Sequence, residues 1–150
     1  MSRPILLVED DENDVKFMKL AFNKAGVDHF VQVAAHGQEA LDYFRGAGKF
    51  ARREDFPLPC LVLLDLKLPY VMGLGVLKWI REQRELESTI VIILSASSDK
   101  RDVETAYQLG ANAYLVKPAE LEKLYLMAKA IKDFWLTHNQ PMPARVDAQR

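Results

Sequence analysis

Cysteine is nearly absent: the 150 residues hold one, Cys60. A lone thiol supports no intrachain disulfide framework and cannot by itself build a zinc site, so the chain fits a reducing compartment. Long apolar runs are missing as well, and none approaches the roughly 20 residues that span a bilayer. Ile5 to Val8 is the only apolar run before the first acids, too short for the core of a secretory signal. An excess of one charge is also lacking. Lys and Arg number 20 against 21 Asp and Glu, a net charge of -1, which gives neither nucleic acid nor an anionic membrane an electrostatic claim as main partner. No internal repeat is visible. What remains is 49% hydrophobic and 27% charged, the balance of an ordinary globular domain with one core. A soluble, cytoplasmic, single-domain protein is expected.

Short apolar runs alternate with helical patterns along this chain. The runs are Ile5 to Val8, Val31 to Ala35, Leu61 to Leu64, Ile90 to Leu94 and Ala113 to Val116. They are nearly unbroken, as strands buried on both faces should be. Val15, Met18, Phe22 and Ala25 share one helical face, and Gly26 follows as a stop. Glu39 to Arg45, Leu74 to Leu86, Asp99 to Leu109 (closed by Gly110) and Ala119 to Leu136 also read as helices. Strict alternation implies an α/β fold, an open, mostly parallel sheet with helices on both faces. The stretch from Gly46 to Pro59 reads as a solvated connector, with a partner contact as the alternative. The segment from Thr137 onward reads as a loose tail.

In open α/β sheets, ligands gather at the carboxyl ends of the strands. Glu9, Asp10 and Asp11 follow the first run, Asp65 the third, Ser95 the fourth, and Lys117 with Pro118 the fifth. Clustered carboxylates repel unless a cation lies between them, and an oxygen-only set favours a hard ion such as Mg²⁺. Such a site suits phosphoryl transfer, with a carboxylate as nucleophile. Ser95 and Lys117 would bind the phosphoryl oxygens, and the small Ala96 would leave them room.

Val8-Glu9-Asp10, Leu64-Asp65 with Pro69 and Gly73, Ser95-Ala96, and Gly110-Ala111-Asn112-Ala113-Tyr114-Leu115-Val116-Lys117-Pro118 together resemble the response-regulator receiver domain of two-component signalling. The likeness runs from Ile5 to Leu136. It implies a flavodoxin-like, doubly wound (βα)5 parallel sheet with strand order 2-1-3-4-5, a receiver domain over residues 1–137 and a flexible tail over 138–150. It implies that Asp65 is the phospho-acceptor, served by a histidine kinase or phosphotransfer protein. Asp10 would be the direct Mg²⁺ ligand, Glu9 would act through a metal-bound water, and the backbone carbonyl of Lys67 would complete the shell. Ser95 would be the switch hydroxyl, Tyr114 the switch aromatic, and Lys117 the phosphoryl-binding lysine, with Lys117–Pro118 cis. The insertion before the third strand and the ending Phe134-Trp135-Leu136 are similar to stand-alone receivers paired with bacterial phytochromes. Two departures are Met72, where the family often has Asp, and Lys67, whose side chain stands where many relatives have Asn. The second leaves the lifetime of a phosphoryl group open.

Other residues read more plainly. Asp11 suits a helix N-cap better than a third ligand. For Tyr114 a half-buried strand aromatic is the plainer, less favoured alternative. His29, His36 and His138 read as surface residues, and Cys60 as small core packing. The last helix carries two stripes: Leu121, Leu124, Ala128, Ile131 and Trp135, then Met127, Ala130 and Phe134. One core needs one stripe, so the second suggests a homodimer through helix 119–136 together with the fourth helix and fifth strand. Against the switch stand a phosphorylation-independent binding module and a phosphate sink. An aspartyl-phosphate phosphatase is disfavoured because Asp65-Leu66-Lys67 lacks a second acid two residues on.

Overall fold

The computed structural model describes residues 3–143. Five strands and five helices alternate: β1 (Ile5–Val8), α1 (Glu12–Lys24), β2 (Val31–Ala34), α2 (Gly37–Arg45), β3 (Leu61–Leu64), α3 (Gly73–Glu82), β4 (Val91–Ser95), α4 (Lys100–Gln108), β5 (Ala113–Val116) and α5 (Leu121–Ile131). All pairings are parallel, and the strand order is 2-1-3-4-5, as expected. Every residue of β1, β3 and β4 is buried, whereas the edge strands β2 and β5 are half-exposed.

Strand side chains alternate between two cores, as the period of two requires. Leu6, Val8, Val62, Leu64 and Ile93 face α2, α3 and α4. Ile5, Leu7, Leu61, Leu63 and Ile92 face α1 and α5. No helix of the described residues is long and apolar enough to cross a membrane.

Three expectations change. The stretch from Gly46 to Pro59 is not a solvated connector. Phe50 within it is buried, and the Arg53 guanidinium donates to the carbonyls of Tyr43, Phe44 and Phe56. The buried Tyr43 hydroxyl donates to the Pro57 carbonyl at 2.8 Å. A cation placed on the end of α2 satisfies carbonyls that the helix leaves open. His36 is not a passive surface residue, because its Nδ1 accepts from the Glu39 N–H at 3.1 Å and caps α2. The helix expected over 119–136 is α5 followed by π-helical turns over Lys132–His138. These wider turns let Trp135 and Leu136 both lean on the α1–α5 core, while Phe134 stays 52% exposed. The π-helical turns take in Thr137 and His138 of the expected tail, residues 139–143 have no regular structure, and residues 144–150 lie outside the described part.

Candidate functional site

Parallel register brings the strand ends together. Val8 pairs with Leu64, so Glu9 and Asp65 leave the sheet side by side. Ser95 pairs with Val116, which sets Lys117 next to the end of β4. The third strand end continues into a loop that returns at Gly73, whose N–H donates to the Leu66 carbonyl at 2.9 Å. A Cβ on Gly73 would lie 2.0 Å from the Asp65 carbonyl oxygen, so only glycine lets α3 start this close to the acid.

Lys117 holds the centre. Its Nζ donates to Glu9 Oε1 at 2.9 Å, Asp14 Oδ2 at 3.0 Å and Asp65 Oδ2 at 3.1 Å. An ammonium has three donors, and all are used. Among the described residues no peptide bond is cis, so the Lys117–Pro118 bond is trans, against expectation. The lysine stem is long enough to bring its ammonium to all three acids from a trans bond.

Beneath the lysine lies a cavity of about 300 Å³, walled by Phe17, Met18, Leu63, Leu94 and Leu124 and rimmed by Glu9, Asp14 and Asp65. This apolar floor governs protonation. Glu9 is 4% exposed. Burial first, and then the neighbouring Asp65 carboxyl, push its carboxyl up to about 9 despite Lys117. Burial works to lower the Lys117 ammonium, but the carboxylates of Glu9 and Asp65 outweigh it and hold the group raised. For Asp14 burial acts upward, yet hydrogen bonding with Glu9 and Lys117 leaves it below the usual carboxylate range. Burial and the crowding of acids thus favour the protonated form of Glu9 in the absence of a cation.

The residues fit a divalent cation. One oxygen each from Glu9, Asp10 and Asp65 lie within 4.8 Å of one another, and Glu9 Oε2 is buried with no partner. An orphaned buried oxygen in an all-oxygen set suits a hard ion. Asp10 is exposed at the mouth. Lys67 is also exposed, with its N–H 3.4 Å from Asp65 Oδ1.

Ser95 is 1% exposed, and its Oγ accepts from the Ser97 N–H at 3.2 Å. The Tyr114 hydroxyl donates to the Ser97 carbonyl at 2.8 Å. Ser97 Oγ donates to Asp102 Oδ2 at 2.6 Å. Ser97 therefore ties the buried serine to the tyrosine and to α4. Asp11 caps α1, accepting from the N–H groups of Asn13 and Asp14, as its position suggested. Cys60 packs partly buried against the α1–α5 core. Sequence reasoning missed Asp14 and Ser97. Asp14 is an acid in the first turn of α1, where acids are favoured for the helix's own sake, so nothing in the sequence singled it out. Ser97 meets Ser95 and Tyr114 through its backbone, for which the sequence carries no signal.

The family described as response regulator receiver domain matches residues 5–129. Probable methanogenesis regulatory protein FilR2 of Methanothrix harundinacea is 37% identical, with 93% of this chain and 88% of that protein covered. Response regulator Rcp1 of Synechocystis is 34% identical, with 88% of each covered. A solved Mn(2+)-bound form of response regulator Rcp1 has a TM-score of 0.84, at 32% identity, with 94% of this chain and 99% of that chain covered. The phosphorylated cyanobacterial phytochrome response regulator RcpA superposes with a TM-score of 0.87 at 34% identity, covering 95% of this chain and all of that one (100%).

Proposed function

The chain belongs to the response regulator receiver domain family, and from that premise we propose that it is a phosphorylation switch carrying its phosphoryl group on Asp65. One observation carries the reading: the Lys117 ammonium lies 3.1 Å from Asp65 Oδ2, beside three acids clustered for a cation. A carboxylate oxygen of Asp65 attacks phosphorus in line. The bond from phosphorus to the donor breaks, and the leaving group departs with the electron pair. Asp10, Asp65 and the Lys67 carbonyl, with Glu9 through a water, would hold Mg²⁺, which when bound would supply charge neutralisation. Lys117 exchanges its bond to Asp65 for one to a phosphoryl oxygen. Ser95 gives up the Ser97 N–H and turns its hydroxyl to another. The chain's chemistry is limited to its own phosphorylation and dephosphorylation.

Ser97 gives that movement a readout. A shift of the β4–α4 loop moves the carbonyl that holds Tyr114 and the hydroxyl that holds Asp102 of α4, a two-state element that the added charge biases. The donor is a histidine kinase or phosphotransfer protein in the cytoplasm. The RcpA likeness supports a bacterial phytochrome as that kinase, while the FilR2 likeness keeps other stimuli open. The receiver takes residues 1–137. The exposed Tyr107, Val116, Leu126 and Phe134 support homodimerisation along α4, β5 and α5. Acetyl phosphate with Mg²⁺ tests the site: the chain gains one phosphoryl group by intact mass, and Asp65→Asn gains none. Uptake by folded Asp65→Asn equal to that of the parent overturns the assignment.

A further inference from the structure

Resting on that phosphoacceptor reading, we propose that Asp14 is a positioning residue, which holds the Lys117 ammonium in place to receive the phosphoryl group. The acids of the site fall into two overlapping sets. Glu9, Asp10 and Asp65 converge tightly enough for a cation. Glu9, Asp14 and Asp65 converge on the ammonium. Glu9 and Asp65 belong to both sets and Asp10 only to the first. Asp14 belongs only to the second, since among the described residues it joins no cluster that could hold a metal. It is the one acid whose hold on Lys117 does not compete with a cation.

That division matters during transfer. When Asp65 becomes the acyl phosphate, its carboxyl no longer offers the lysine a full charge. A cation bound among Glu9, Asp10 and Asp65 would draw on the Glu9 carboxylate as well. Of the three anchors, only Asp14 is unchanged through both events. It is also rigidly placed, in the first turn of α1, where its own N–H is held by the Asp11 cap at 3.1 Å. A lysine carries a flexible four-carbon stem, and a fixed carboxylate beside its tip limits the positions that the tip samples. The Asp14 side chain is 44% exposed, so truncating it buries no new charge, and alanine is well suited to a helix interior.

The test follows phosphoryl uptake from acetyl phosphate, in which the bond from phosphorus to the acetyl oxygen breaks as Asp65 forms its own and acetate leaves as the anion. Uptake is timed by intact mass at saturating Mg²⁺ for the parent chain, Asp14→Ala and Asp14→Glu. Mn²⁺ affinity is measured in parallel by calorimetry. Asp14→Ala is expected to slow uptake by about tenfold, the usual order for losing an outer partner that orients a reacting group, with parental Mn²⁺ affinity. Asp14→Glu, which keeps the charge on the same turn, is expected to recover most of the rate. Parental uptake by Asp14→Ala overturns the proposal, and so does a fall in Mn²⁺ affinity matching the fall in rate, which would place Asp14 among the metal ligands. A folded Asp14→Glu as slow as Asp14→Ala also overturns it. A parent chain that takes up no phosphate overturns the phosphoacceptor reading itself, and that outcome is visible before any Asp14 variant is compared.

Discussion

At the scale of single residues, Glu9 sets the expected pH response of the site. Its carboxyl, ordinarily at 4.5, stands at about 9 because it is buried over an apolar floor. Between those two values the folded chain binds a proton that the unfolded chain does not. Without a cation, stability therefore falls as pH rises through that window. A cation that draws on Glu9 has to displace that proton. Its affinity should rise with pH, by up to about tenfold per unit for one proton released, and level off near the Glu9 value. Mn²⁺ calorimetry in two buffers of different ionisation heat checks this, since the apparent enthalpies differ only if a proton is released. Glu9, Asp10, Asp65, Ser95 and Lys117 were legible in the sequence because each follows or ends an apolar run, and parallel strands align such ends. Asp14 was not, because it reaches the site from a helix face whose neighbour, Lys117, lies 103 positions away.

At the scale of elements, α3 shows the effect of one departure from the family pattern. Met72 occupies its N-cap with the extended backbone that a cap requires, but offers no side-chain acceptor. Its side chain is exposed, so replacing it costs little packing. Met72→Asp should therefore stabilise the fold by about 1 kcal/mol, the usual worth of an N-cap, read as a higher denaturation midpoint at constant slope. An unchanged midpoint would mean that water or the neighbouring loop already serves the open N–H groups of α3. The strands and most helix bounds were legible from periodicity and glycine stops. The order in the Gly46–Pro59 stretch was not, because Arg53 acts there through three backbone carbonyls. Arg52 and Arg53 look alike in sequence, yet the first makes only exposed ion pairs with Glu54 and Asp55. Carbonyl directions, which tell the two apart, exist only once α2 has formed.

At the scale of the whole molecule, the β5 edge of the sheet exposes apolar side chains. The β5 edge carries Val116 at 43% exposure, with Tyr107 of α4 at 49%, and Leu126 of α5 at 55%. Phe134, at 52%, continues this face beyond α5 through the π-helical turns. The second stripe was legible in the sequence, but its membership was not: Met127 turns partly onto the core, and Leu126 takes the exposed place. An ideal 3.6-residue period cannot foresee the π-helical turns that reset the register after Ile131. Apolar side chains collected on an edge strand and its flanking helices mark an association surface, and α4 at its border is tied through Ser97 to the buried Ser95. A chain that dimerises here should sense Asp65. Light scattering with and without acetyl phosphate should show a dimer whose dissociation constant tightens on phosphorylation. Phe134→Glu should give a monomer under both conditions while still accepting the phosphoryl group, because Phe134 lies outside the acid cluster. A parent chain that is monomeric under both conditions would remove the dimer without touching Asp65. A Phe134→Glu chain that still dimerises would move the contact to another face.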